Sequence, residues 1–265
     1  MQVRSNDTDI FFDVIGNGTP VIFLHPFPAN HGFWLPVAGP LSTRYKIILP
    51  DLRGHGQSGP GEGAATMAKH AEDLARVCDA CGVGRAAFVG CSIGGYILFE
   101  FWRRFGNRVE ALALCNTKAA PDNDEARKAR LQSATDVLER GPEWFIDSMV
   151  PKLIGETTRR NRPDLVEAAR RIMMQSSAAG ISAVQKGMAE RPDSVPTLGT
   201  IAVPTLIIAG DEDQATPLDQ AEMMRSGIRG SRLTTIRKAG HYAAFEQSQE
   251  VTQVLRDFLG AVPRR

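Results

Sequence analysis

Residues 88–95, Phe-Val-Gly-Cys-Ser-Ile-Gly-Gly, decide how this chain folds. The apolar run Ala86, Ala87, Phe88, Val89 leads into them, and a helix-like run from Tyr96 to Phe105 leads out. Gly90-Cys91-Ser92-Ile93-Gly94 is therefore G-x-S-x-G set between a strand and a helix, the context of a nucleophile elbow. The turn is so tight that a side chain two residues to either side of Ser92 would strike neighbouring backbone, which is why glycine stands there. The turn holds a serine hydroxyl at the head of a helix and frees the next N–H to receive an oxyanion.

The pattern around this turn sets the architecture. Strands are expected at Ile10–Ile15, Val21–His25, Tyr45–Pro50, Arg85–Cys91 and Val109–Asn116, with helices at Thr66–Cys81 and Ile93–Phe105. Alternation of this kind predicts an α/β fold with a mostly parallel, doubly wound sheet. The opening residues with the Gly16-Asn17-Gly18 turn read as an antiparallel hairpin leading in. From Ala119 to Arg191 strand signals vanish, and helices are expected at Asp124–Arg140, Pro142–Ile154, Pro163–Ser177 and Ile181–Glu190. The α/β pattern then resumes, with strands at Val203–Ala209 and Leu233–Arg237 and helices at Leu218–Ser226 and Glu250–Leu259. The organisation is thus a core in two parts, 1–118 and 192–265, with a helical insertion over 119–191.

The composition suits one globular domain: 265 residues, 43% hydrophobic and 23% charged. A formal net charge of +1 offers no electrostatic reason to bind nucleic acid or an anionic membrane. No run approaches the ~18 apolar residues of a membrane span. The polar N-terminus lacks a signal-peptide apolar region, so a cytoplasmic protein is expected. Cys78 and Cys81 form C-x-x-C inside a helical pattern without a second pair at zinc spacing. All four cysteines are expected to be buried, inert thiols.

A serine hydroxyl needs a base, and the base needs a carboxylate. Five histidines are present, and His241, just past the final strand, is the one that follows Ser92 in the order Ser, acid, His. His25 and His55 precede it and read as loop-bracing groups. The acid belongs in a loop after an intervening strand. Asp213, in Asp211-Glu212-Asp213, is preferred. Asp211 is the local rival, and Asp122 or Asp124 the rival after Val109–Asn116, although those two look like part of a helix start.

Four regions together resemble the α/β-hydrolase superfamily, over nearly the whole chain. His25-Pro26-Phe27-Pro28 resembles its H-G-x-P loop. Asp51-Leu52-Arg53-Gly54-His55-Gly56-Gln57-Ser58 resembles its D-x-R-G-x-G-x-S turn. Gly90–Gly94 is the elbow, and Gly210–Asp213 with Thr216-Pro217, then Gly240-His241, resemble its acid and histidine loops. The resemblance implies an α/β-hydrolase fold with a helical cap and catalytic Ser92, Asp213 and His241. It also implies an oxyanion hole from the Phe27 and Ile93 N–H groups. Proline replaces glycine at position 26 and has no N–H, but the expected donor is one residue later. The Phe27–Pro28 bond is a candidate for cis geometry. Trp144, Phe145, Met149, Met173, Met174 and Met188 of the insertion are candidates to line an acyl pocket, since methionine adapts to varied shapes.

The implied activity is hydrolysis of a small, largely apolar ester or lactone through an acyl-enzyme, with no cofactor or metal. Serine at the elbow argues against the aspartate-bearing haloalkane dehalogenases and epoxide hydrolases. Cofactor-free haloperoxidase-like perhydrolases, enol-lactone hydrolases and acyltransferases would use the same groups. A slow-turnover ligand receptor on this fold is the alternative from another class.

Overall fold

The computed structural model describes residues 1–263; Arg264 and Arg265, the last two of the expected second core segment, lie outside the described residues. The chain opens with β1 (Gln2–Ser5), β2 (Thr8–Ile15), β3 (Thr19–Leu24), α1 (Leu35–Leu41), β4 (Tyr45–Pro50), α2 (Met67–Ala80), β5 (Ala86–Cys91), α3 (Ile93–Phe105) and β6 (Val109–Cys115). Five helices follow within residues 119–191: α4 (Asp124–Arg140), α5 (Pro142–Leu153), α6 (Glu156–Asn161), α7 (Pro163–Met173) and α8 (Ala178–Ala189). The rest is α9 (Val195–Leu198), β7 (Thr205–Gly210), α10 (Leu218–Gly227), β8 (Arg232–Ile236), α11 (Ala243–Glu246) and α12 (Ser248–Ala261).

The eight strands form one sheet in the order β1-β2-β4-β3-β5-β6-β7-β8. From β4 to β8 every pairing is parallel. The interior strands β5 and β7 are buried along their whole length, as expected where helices cover both faces. This is the α/β architecture expected from the alternation of strands and helices. Among the described residues, no helix is long and apolar enough to cross a membrane.

One expected connection differs. The strands flanking Gly16-Asn17-Gly18 do not pair with each other. β4 lies between them, antiparallel to β2 (Phe12↔Pro50, Ile15↔Ile47) and parallel to β3 (Val21↔Ile47). The turn instead crosses the start of β4 at backbone contact. A Cβ on Gly16 would sit 2.2 Å from the Ser42 carbonyl oxygen, and both glycines have positive φ. The antiparallel hairpin is β1–β2, turning at Asn6-Asp7. A second difference is in the insertion. The helix expected over 163–177 stops at Met173, and Ser177 caps α8 by accepting the Gly180 N–H at 3.0 Å.

The Asp51–Ser58 turn is a structural junction. Asp51 accepts bonds from the His31 N–H, the His31 imidazole and the Gln57 N–H at 2.7–2.8 Å. Arg53 is wholly buried, bidentate to Asp73 and bonded to Asp7. Such a buried pair is tolerated because both charges are matched by directed hydrogen bonds. Four free cysteines are present, and Cys81 is half-buried, not fully buried as expected. Burial raises the pKa of all four thiols, with Cys78 pushed up to about 12.

Three imidazoles cluster behind this turn. Burial lowers the pKa of His25 to about 4, against the pull of Asp51. Burial and the nearby His25 lower that of His55 to about 3, and burial with His55 takes His70 well below 6.5. Below pH 6.5 the unfolded chain therefore takes up protons that the folded chain refuses, and stability falls as the pH drops. Each histidine contributes a slope of about 1.4 kcal/mol per pH unit through that window. The pKa of His31 is raised by its bond to Asp51, so its contribution runs in the opposite sense. The His70 ring makes no hydrogen bond among the described residues. We expect urea denaturation of His70→Leu to show a shallower loss of stability between pH 6 and 4.5, by about 1.4 kcal/mol per pH unit. An unchanged slope would place the acid sensitivity in other groups.

Candidate active site

The elbow sits at the carboxyl end of β5, in the middle of the sheet. Ser92 has φ +55° and ψ −114°, a backbone state that non-glycine residues rarely adopt. Backbone strain of this order persists only where the surroundings over-determine it. Here the surroundings do so by close approach: a Cβ on Gly90 would lie 2.6 Å from the Gly94 carbonyl, and one on Gly94 would lie 2.6 Å from the Leu24 oxygen. The Ser92 N–H donates to Cys115 O at 3.0 Å, and the Thr117 hydroxyl donates to Ser92 O at 2.7 Å. Both bonds tie the turn to the end of β6. The serine is 8% exposed.

The 25–30 loop faces the elbow from β3. His25 Nδ1 donates to Pro26 O at 3.0 Å and Nε2 accepts the Leu52 N–H at 2.9 Å, so this ring braces the loop as a neutral imidazole. The His55 ring packs edge-on against both His25 and Phe27. The Phe27–Pro28 peptide is cis. Phe27 O accepts from the Tyr242 hydroxyl at 3.3 Å, and Pro28 O from the Ser176 hydroxyl at 2.8 Å. Among the described residues, neither the Phe27 N–H nor the Ile93 N–H, the first of α3, finds an acceptor.

At the ends of β7 and β8 two loops meet. His241 Nδ1 donates to Asp213 Oδ2 at 2.9 Å, which leaves Nε2 as the free ring nitrogen. The same carboxylate oxygen accepts from Asn116 Nδ2 at 2.9 Å and Thr216 Oγ1 at 2.6 Å. Oδ1 accepts the Ala215 and Thr216 N–H groups at 2.8 and 3.0 Å. Burial raises the Asp213 pKa, but the His241 charge and these donors outweigh it and hold the carboxyl well below the usual range. The elbow abuts this pair, with Cys91 Sγ 3.9 Å from His241 O. Among the described residues, no hydrogen bond joins Ser92 Oγ to His241. Such bonds often tighten only once substrate is bound.

The rival carboxylates are engaged elsewhere. Asp211 accepts the Ala239 N–H at 3.3 Å. Asp122 forms ion pairs with Arg130, Arg191 and Lys118 at 2.5–3.1 Å. Asp124 lies in the first turn of α4, which Asn123 caps. Of the insertion's candidates, Phe145 meets the elbow side, its ring 5.7 Å from that of Phe27. Met173 and Met188 are buried, and Met149 and Met174 half-buried. Trp144 is half-buried, with the Arg140 guanidinium 3.7 Å from its ring. Asn116, Tyr242 and Glu246 were not singled out from sequence. Asn116 follows β6 at φ +43°, a backbone position where asparagine is favoured. Among the described residues no cluster of His, Cys, Asp or Glu is arranged to hold a metal ion.

Comparison with known proteins agrees with this fold. The sequence model of the family described as alpha/beta hydrolase fold matches residues 19–248. The chain belongs to that family. A solved structure of a thermophilic esterase from Thermogutta terrifontis is 36% identical, with a TM-score of 0.96 and 99% of each chain covered. A putative carbamate hydrolase of Azorhizobium caulinodans is 27% identical over 98% of both chains. A 3-oxoadipate enol-lactonase of Acinetobacter baylyi is 25% identical over 93% of this chain and 90% of its own.

This α/β hydrolase thus carries its elbow, its Asp213–His241 pair and its 25–30 loop at one edge of the sheet. If Asp213 orients and charges the imidazole, Asp213→Asn will be the severe variant, because an amide can face His241 without stabilising its positive charge. Turnover of p-nitrophenyl acetate should fall by about 10³-fold or more in Asp213→Asn. Asp211→Asn should stay near wild type, and Asp122→Asn should lower thermal stability more than turnover. A severe loss in Asp211→Asn or Asp122→Asn would move the acid there.

Proposed function

We propose that this protein is a serine hydrolase that cleaves a small, largely apolar carboxylic ester or lactone. The observation that carries the reading is the strained Ser92 at the elbow on the same sheet edge as the buried Asp213–His241 pair. Ester and lactone hydrolases among the relatives support it.

In this reading Ser92 Oγ attacks the carbonyl carbon, and His241 Nε2 takes its proton. That nitrogen is the basic one because Nδ1 carries its proton toward Asp213. Asp213 holds the tautomer and stabilises the imidazolium, a role suited to a carboxyl kept ionised by five donors. The tetrahedral oxyanion is received by the Phe27 and Ile93 N–H groups, which hold no competing acceptor among the described residues. His241 then returns the proton to the leaving alcohol, and water repeats the cycle on the acyl-enzyme to release the acid. The mechanism calls for no metal or organic cofactor.

The insertion serves as the cap in this reading, and Phe145, against Phe27, is its best placed candidate for the acyl side. Ser92→Ala should abolish ester hydrolysis, a loss on the order of 10⁴-fold or more, with the thermal melt unchanged. Fluorophosphonate labelling should stop with it. Persistent labelling in Ser92→Ala would put the nucleophile elsewhere. Phe145→Ala should alter selectivity across p-nitrophenyl chain lengths by about 1–3 kcal/mol while acetate turnover changes less. An equal loss on every chain length would remove Phe145 from the acyl pocket.

A further inference from the structure

The backbone on both sides of His241 is held from the insertion. The Tyr242 N–H donates to Leu153 O, at the end of α5, at 3.0 Å. On the other side, the Gly240 N–H donates to Glu246 Oε1 at 3.0 Å, and the second oxygen of that carboxylate accepts the Gly155 N–H at 3.0 Å. Gly155 sits in the turn between α5 and α6, so a single side chain links the histidine loop to that turn. The two segments meet backbone to backbone. A Cβ on Gly240 would lie 2.3 Å from Gly155 N, and one on Gly155 would lie 2.6 Å from Gly240 N.

Glu246 is 6% exposed and pairs with no cation among the described residues. Burial raises its pKa against the pull of Thr158 and the two amides. A buried carboxylate in that setting is costly. Its particular merit is two acceptor oxygens at a fixed spacing, matched here to two N–H groups from different parts of the chain. A glutamine would turn one acceptor into a donor facing an N–H. The Gly240 carbonyl is held from the opposite side by Asn116 Nδ2 at 3.2 Å, which also bonds Asp213. The residue preceding His241 is thus gripped at both of its backbone polar atoms.

We propose that Glu246 is a positioning residue for His241, making the aim of the imidazole depend on how the α5–α6 turn is seated. The inference rests on His241 being the general base proposed above. Glu212 provides a comparison. It ties the same segment to the acid loop, accepting the Thr157 N–H at 2.8 Å and the Thr157 hydroxyl, with no hydrogen bond to Gly240 among the described residues.

The test compares Glu246→Gln with Glu212→Gln, using p-nitrophenyl acetate kinetics, fluorophosphonate labelling and thermal melts. Glu246→Gln should lower kcat and the labelling rate together by about 10- to 100-fold, because small misplacements of a catalytic group cost this much. KM should change by less than about threefold, since ground-state binding is untouched. Glu212→Gln should keep kcat within about threefold. A folded Glu246→Gln with wild-type kcat, or a Glu212→Gln that loses as much kcat, overturns the inference. Should Glu246→Gln not fold, Glu246→Asp keeps the charge but is one methylene short of both amides. It should lose about 3- to 10-fold in kcat at constant KM, and wild-type kcat there overturns the inference equally. Wild-type protein that the probe does not label at Ser92 would sink the parent reading and this inference with it. Normal wild-type labelling with an unaffected Glu246→Gln sinks the inference alone.

Discussion

A buried negative charge organises the functional end of this molecule. The Asp213 side chain is fully buried, and an ionised carboxyl in that position must be matched by donors. They come from three places: the acid loop itself, Asn116 at the end of β6, and His241 after β8. Satisfying one charge therefore brings three strand ends into register. Asn116 extends the effect by gripping the Gly240 carbonyl, and the elbow is tied to the same region through Cys115 and Thr117. The local strain at Ser92 is held within this network, which leaves the turn no room to relax.

The helices between β6 and β7 are bonded to the loops at the carboxyl ends of the strands. Leu153 and Gly155 reach the histidine loop, Ser176 holds the Pro28 carbonyl, and Asn30 bonds to Gln175 at 2.8 Å. Changes in the insertion can therefore reach the chemistry through backbone position as well as through the shape of a pocket. A strict split between a reactive core and a passive cover does not describe these contacts.

Much of the fold was legible because its signals are local. The strands β4 and β6 and the helices α3 and α4 fall within a residue of where periodicity places them. The Gly16-Asn17-Gly18 turn misled because its composition matches a hairpin, whereas its pairing is decided by β4, a segment thirty residues further on. Short helices such as α1, with Pro36, Gly39 and Pro40, and α6 carry too little periodicity to be seen. At the site, Ser92 and His241 announce themselves by motif and chain order. The choice among Asp211, Asp213 and Asp122 is a matter of where each carboxyl points, which adjacency in sequence does not encode. Glu246 and Asn116 are ordinary residues in one dimension, and they acquire meaning only through partners about ninety and a hundred residues away.

The contact between α8 and the core also limits what can stand in its place. A Cβ on Gly180 would sit 1.9 Å from Gly54 O, one on Gly187 would sit 1.8 Å from Ala65 O, and Ala183 O accepts the Ala65 N–H at 2.9 Å. At these points backbone rests on backbone, which leaves no space for a larger side chain. A helix grafted here would fit this core only if it brought small residues at those two positions.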